Sequence, residues 1–480
     1  PMMGAIMHTQ NWRLSPEQIL YTMNHAEDKI VLIHQDFVPL LEAIWDKLAT
    51  VKKVILITDD GNRPTSKVPF DAEYEEMLAS SPPAHDFPDL DENTQATIFY
   101  TTGTTGLPKG VFFSHRQLVL HAQALLLATG SYASIGRCQS NDVYMPITPM
   151  FHVHAWGFPW AATMLGVKQV YPGRYEPAML LKLILTERVT FSHCVPTIIQ
   201  MLVSSPAAKQ YDLSFWKVII GGARLTKSLA LEAMKMGIQI FAAYGMSETC
   251  PLLTAANLKP WMLKNSMEEN VDTLVKTGLP APLVYVRLKD PLGKDVPHDG
   301  VSTGEVCVRS PWLTERYFKD PERSKELWTD GWLHTGDLAR KDDDGYIFLV
   351  DRINQKSGLA NGLLDFLGGV HDHIQGPVST GKKLIHLGRA FMLVEFALHF
   401  DEQIDVAVGA GIAAGTAAEQ HDADRVEPAR DFFGDSGNQT GIEPDFRAGR
   451  HNNLLPARGC RLAQDPPNRR NRRRAAPGSR

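Results

Sequence analysis

Over the first 353 residues the apolar positions change period from helix to strand and back. Ser15–Asn24, SPEQILYTMN, sets a capping serine, a proline at the first helical position and a Glu/Gln pair ahead of apolar residues at helical spacing, which predicts a helix start. Lys29–His34, KIVLIH, is a strand-length apolar run. Pro39–Leu48 returns to helical spacing, and Lys53–Thr58, KVILIT, is a second strand. Residues 60–96, rich in Pro, Asp, Glu and Ser, read as a surface excursion. Helices are expected after His115 and through Pro177–Leu185, and strands near Val143–Met145, Thr190–Cys194, Lys217–Ile220 and Ile238–Phe241. Strands alternating with helices imply a parallel, doubly wound α/β architecture. From Lys276 the pattern becomes short strands with turn residues, TGEVCVRSPW and DGYIFLVD, as in a β-rich subdomain. The expected division is 1–275 for the α/β core, 276–353 for the β-rich subdomain and 354–480 for a tail. No internal repeat interrupts it.

The tail differs in chemistry. Up to Lys356 there are 21 Lys and 13 Arg; beyond it there are 2 Lys and 13 Arg, and Tyr and Trp are absent. It ends in PPNRRNRRRAAPGSR, a basic low-complexity run of the kind usually disordered. The apolar runs Leu384–His399 and Ile404–Ala418 suit isolated helices and no recognisable domain.

Composition narrows the class. An apolar share of 44% and a charged share of 21% over 480 residues are ordinary for a soluble globular protein of two or three domains. A formal charge of −5 gives nucleic acid no general foothold. Five scattered cysteines without a CxxC pair fit reduced thiols in the cytoplasm. No run approaches the roughly 18 apolar residues of a membrane-spanning helix. Pro1-Met2-Met3 lacks the basic start and apolar core of a signal peptide.

The chemistry concentrates at Thr101–Gly110, TTGTTGLPKG, between the apolar runs ATIFY and VFF. Glycines allow close backbone approach, hydroxyls and amides supply donors, and Lys109 adds a point charge suited to phosphate. A Gly/Thr-rich hairpin turn is the plainer alternative. Walker A is excluded, because Lys109 precedes a glycine and a β-branched, aromatic run rather than opening a helix. Tyr144–Trp160, YMPITPMFHVHAWGFPW, reads as a rigid segment beside a cleft, against the alternative of core aromatics with satisfied histidines. His152 and His154 alternate faces with no carboxylate or cysteine beside them, which disfavours a metal site. Lys217–Leu225, KVIIGGARL, runs a strand into a Gly-Gly turn. Phe241–Pro251, FAAYGMSETCP, follows an apolar strand at the end where α/β ligands bind. There Tyr244 can stack on a purine and Glu248 can hold Mg2+. In Trp332–Asp337, WLHTGD, a carboxylate can accept ribose hydroxyls, and Arg352 can reach ribose or phosphate.

The order phosphate loop, aromatic segment, GG turn, YGMSET, GEVCVRSPWLTERY, WLHTGD, DR resembles the adenylate-forming superfamily of acyl-CoA synthetases and luciferases over residues 1–353. PMMGAIMHTQNWRLSPEQI, TPMFHVHAWGFPWAATMLGVKQVYPGRY and AAYGMSETCP are most similar to its medium-chain fatty-acid–CoA ligases. The resemblance implies a layered αβαβα large domain with a smaller β-rich subdomain. It implies a fatty-acid–CoA ligase that forms acyl-AMP and then acyl-CoA from a medium- or long-chain acid, ATP, Mg2+ and coenzyme A. Catalytic roles would fall to Lys109, His152 and Glu248. ATP would be bound by Thr101, Thr102, Gly103, Thr104, Thr105, Gly106, Gly222, Ala223, Tyr244, Gly245, Ser247, Asp337 and Arg352. Thr101 and Glu248 would hold the metal, while His152, Trp156 and Gly222 would meet the acyl substrate. A homodimer and peripheral membrane contact are compatible with the resemblance.

Past Asp351-Arg352 the resemblance stops. The family continues with a lysine-bearing hinge and a C-terminal domain carrying the adenylation lysine; here Asn354 stands at a usual lysine position, and Lys356-Ser357-Gly358 is all that is similar to the hinge. Gly376–Lys383, GPVSTGKK, is a decoy: Lys383 replaces the Ser/Thr of Walker A, and only 25 residues separate it from Asp351. The expectation is a shifted reading frame or divergent gene after about residue 358, an N-terminal segment lying upstream, and impaired activity. A non-catalytic nucleotide-binding remnant and an adenylating enzyme with another acyl acceptor are the alternatives.

Overall fold

A computed structural model describes residues 1–101, 106–133 and 136–353. Thr102, Gly103, Thr104 and Thr105, and every expectation for 354–480, lie outside the described residues.

The expected α/β alternation organises a seven-stranded sheet. Its order is Leu279–Pro280, Leu252–Ala255, Gln239–Gly245, Lys217–Ile220, Phe191–Cys194, Val143–Pro146, Lys168–Gln169. The five strands from Gln239–Gly245 onward run parallel, and the first two add antiparallel. Phe191–Cys194 is buried on both faces, as parallel strands between helices are. A second sheet joins Met7–His8 to the hairpin of Gln95–Thr101 and Lys109–Ser114. A third is parallel, Ile30–His34, Lys53–Ile57 and Ala72–Glu73; its small core holds Ile19, Met23, Leu41 and Ile44. The fourth is antiparallel and comprises Tyr285–Lys289, Gly304–Arg309, Trp332–Lys341, Trp328–Thr329 and Ile347–Arg352. Gly278 and Ile347 bridge the first and fourth sheets. One large core, including Phe99, Phe113, Phe191, Trp216 and Trp312, runs beneath three of the four sheets.

Local chemistry explains the element starts. The Pro16–Ala26 helix opens with a capping box between Ser15 and Gln18, and the His115–Gly130 helix with one between Ser114 and Gln117. Two expectations change. Residues 60–96 are more than an excursion: Ala72–Glu73 adds an edge strand, and Tyr74–Ser80 is a helix capped by the buried Glu73, which accepts from the Glu76 N–H at 2.9 Å. The Pro39–Leu48 helix is the shorter Val38–Ile44, followed by a single 3-10 turn, Trp45–Lys47.

Candidate active site

The strands of the hairpin pair Thr101 with Lys109, so the predicted phosphate loop begins and ends at one point of the sheet. Both residues line a cavity of about 1170 Å³. The carboxyl end of the Gln239–Gly245 strand opens on the same cavity, with Tyr244, Gly245, Met246, Ser247 and Glu248 on its wall. This is the position parallel α/β sheets use for ligands. His152, Trp156, Gly222 and Arg352 line it too. Ten residues singled out in the sequence thus meet in one cavity.

At the nucleotide end, Tyr244 donates its hydroxyl to Asp337 Oδ2 at 2.6 Å, and Arg352 Nε stands 3.1 Å from Asp337 Oδ1. Burial, and then the Asp337 carboxylate, hold the Tyr244 phenol well above its ordinary range, so it stays a neutral donor. Glu305 fixes the turn before Asp337: its Oε1 accepts from the Gly336 N–H at 3.1 Å, and its Oε2 lies 2.8 Å from His334 Nδ1. Cys307 Sγ lies 3.6 Å from the same nitrogen. Burial pushes that thiol up to about 12, and the three side chains form a hydrogen-bonded support for the turn.

At the phosphate end Glu248 is buried, and its Oε1 accepts from the Tyr317 hydroxyl at 2.7 Å. Lys109 Nζ donates to the same hydroxyl at 3.0 Å. Glu248, Ser247 and Thr101 all line the cavity, and their carboxylate and hydroxyl oxygens are donors of the kind Mg2+ takes.

At the apolar end the backbone takes an unforeseen path. Val153, His154, Ala155 and Trp156 all have positive φ, between 49° and 58°, a left-handed turn that costs strain in non-glycine residues. The turn buries His154, whose Nδ1 lies 3.2 Å from Thr9 Oγ1, and leaves His152 on the cavity wall. Trp156 packs 5.0 Å from the His193 ring, and its ring edge would be 3.2 Å from a Cβ at Gly221. Burial first, and Arg13 second, lower the His152 pKa, so its imidazole is neutral at neutral pH. The positive charge on that wall belongs to Arg13, which also lies over the Trp12 ring.

Not every predicted residue reaches the wall. Gly106 has φ +100° and open space where a Cβ would stand, and Ala223 is exposed past the Gly222 turn. Arg13, His334 and Tyr317 were missed. Tyr317 falls within GEVCVRSPWLTERY, yet nothing in its neighbours along the chain signals that it reaches Glu248, 69 residues away.

Residues 1–318 match the family described as AMP-binding enzyme. A long-chain-fatty-acid–CoA ligase of Thermus thermophilus is 40% identical over 363 residues, covering 75% of this chain and 64% of that protein. A medium-chain-fatty-acid–CoA ligase of Ectopseudomonas oleovorans is 34% identical, covering 77% and 68%. The inhibitor-bound N-terminal domain of FACL13 from Mycobacterium tuberculosis superposes with a TM-score of 0.61 at 25% identity, covering 73% of this chain and 81% of that domain. The chain thus spans somewhat under two thirds of the Thermus relative's length.

Proposed function

The chain belongs to the AMP-binding enzyme family, and from that premise we propose that it activates a medium- or long-chain fatty acid with ATP, as the first half of an acyl-CoA ligase reaction. The observation that carries this reading is one cavity lined by Thr101 and Lys109, by Tyr244, Gly245, Ser247, Glu248 and Arg352, and by His152, Trp156 and Gly222. In the reaction a carboxylate oxygen attacks the α-phosphorus, the bond to the β-phosphate breaks, and pyrophosphate leaves. The sulfur of coenzyme A then displaces AMP from the acyl carbon and loses its proton.

The roles follow from the geometry. Lys109 neutralises charge on the leaving pyrophosphate. Glu248 and Thr101 hold Mg2+, which when bound screens the triphosphate. Tyr244 and Gly245 bound the purine, and Asp337 with Arg352 takes the ribose. Neutral His152 offers the carboxylate a hydrogen bond, with Arg13 supplying charge on the same wall. Trp156 and Gly222 border the acyl chain. Four buried free cysteines among the described residues accord with a reducing, cytoplasmic setting. No helix among those residues is long and apolar enough to cross a membrane.

Equilibrium binding tests the reading. Mg·ATP should bind, octanoate should bind more tightly in its presence, and Glu248→Gln should weaken Mg·ATP by about tenfold or more. Equal affinity of wild type and E248Q removes Glu248 from the metal role.

A further inference from the structure

Tyr317 stands between the two opposite charges of the phosphate end. Its hydroxyl donates to Glu248 Oε1 at 2.7 Å and accepts from Lys109 Nζ at 3.0 Å, and Lys109 Nζ lies 4.3 Å from its ring centroid. The segment carrying it is bonded on both sides. The Phe318 N–H donates to the Gly110 carbonyl at 2.8 Å and Thr314 Oγ1 to the Phe112 carbonyl at 3.2 Å, both on the strand leaving the phosphate loop. The Thr314 N–H donates to the Glu248 carbonyl at 2.9 Å, on the turn that presents the carboxylate. The Tyr317 N–H donates to Ser324 Oγ at 2.9 Å, which holds the main chain at Tyr317 in place.

A lysine and a buried glutamate facing each other directly form an ion pair, and each then competes with the other's ligand. A phenol satisfies both with one hydroxyl and leaves both formal charges in place. We propose that Tyr317 is a positioning residue, a neutral spacer that keeps Lys109 and Glu248 apart and aimed into the cavity, one toward phosphate and the other toward its cation. The proposal rests on the reading of Lys109 and Glu248 given above.

The test is calorimetric binding of ATP to the full chain, once with Mg2+ and once with EDTA. It compares wild type, Tyr317→Phe, Tyr317→His and Glu248→Gln. The readout is the ratio of the two affinities, because general softening of the fold lowers both and leaves the ratio unmoved. Tyr317→Phe keeps the ring and the contact with Lys109, so its melting temperature should stay near wild type while the ratio falls about tenfold, the loss expected for one hydrogen bond to a charged group. Tyr317→His keeps a donor for Glu248 and an acceptor for Lys109 and should hold the ratio within about threefold of wild type. If Y317F does not fold, Y317H alone decides: a ratio as low as that of E248Q contradicts the spacer. A shifted ratio in E248Q with an unmoved one in Y317F overturns the role of Tyr317 and leaves the metal reading standing. An unmoved ratio in both overturns the two together.

Discussion

Gly245 shows how a residue named for a ligand can be required for another reason. A Cβ there would lie 1.9 Å from the Pro251 carbonyl oxygen, because the chain folds back on itself after the Ser247–Thr249 turn. Gly245→Ala should therefore displace Tyr244 and the turn bearing Glu248, destabilising the protein by about 1–3 kcal/mol and abolishing measurable ATP binding. Thermal melting and ATP titration check the two effects, and an alanine variant with wild-type affinity contradicts them. At this scale the sequence singled out Lys109, Tyr244, Glu248 and Asp337 by their intrinsic chemistry; the structure sets the first three on one cavity wall and Asp337 behind it, accepting from Tyr244. The sequence was silent on Tyr317 and Arg13, whose importance comes from what the fold sets beside them. His152 was visible as a candidate, but its neutrality follows from burial and from Arg13.

Among elements, the helix that follows the phosphate loop connects the hairpin to the subdomain. Ser114 Oγ accepts the Gln117 N–H at 3.3 Å, Gln117 Oε1 accepts the Ser114 N–H at 2.8 Å, and Gln117 Nε2 donates to the Leu313 carbonyl at 2.6 Å. Ser114→Ala should cost about 1 kcal/mol of stability, the usual loss for a cap, with ATP affinity nearly unchanged. Gln117→Ala should also weaken Mg·ATP, because Leu313 opens the segment that carries Tyr317. Chemical denaturation paired with ATP titration separates the two variants; identical behaviour in both contradicts the link. Most elements were legible because caps, periods and turn residues are local. The left-handed turn at Val153–Trp156 was not, since no residue in VHAW favours positive φ. Tertiary packing imposes it by burying His154 against Phe99 and Thr9.

Across the whole molecule, three imidazoles are buried in the large core's surroundings. His121 accepts from the Leu252 N–H at 3.2 Å, His193 lies 2.8 Å from the Tyr144 hydroxyl, and His154 meets Thr9. Burial pushes each of them down to about 3. In the unfolded chain they titrate near 6.5, so between about pH 6.5 and pH 3 the unfolded state binds more protons. Stability should fall as the pH falls through that window, by up to about 1.4 kcal/mol per pH unit for each histidine, and these three add no slope above it. Urea midpoints measured across that window check this, and a flat profile contradicts it. Sheet order, and the meeting of the subdomain with the phosphate end, were beyond sequence reasoning, because they depend on contacts between residues hundreds of positions apart. The α/β core and the β-rich region were legible, because the period of the apolar pattern changes between them.

Acyl-adenylate formation in this cavity is the step from which every assigned role follows. A quenched single-turnover reaction of the chain with octanoate and Mg·ATP labelled in the α-phosphate tests it most directly, with pyrophosphate, octanoyl-adenylate and acyl-CoA quantified separately. Octanoyl-adenylate and pyrophosphate are expected in equal amounts before coenzyme A is added. Label appearing in ADP, or no adenylate at all while ATP binds, contradicts it.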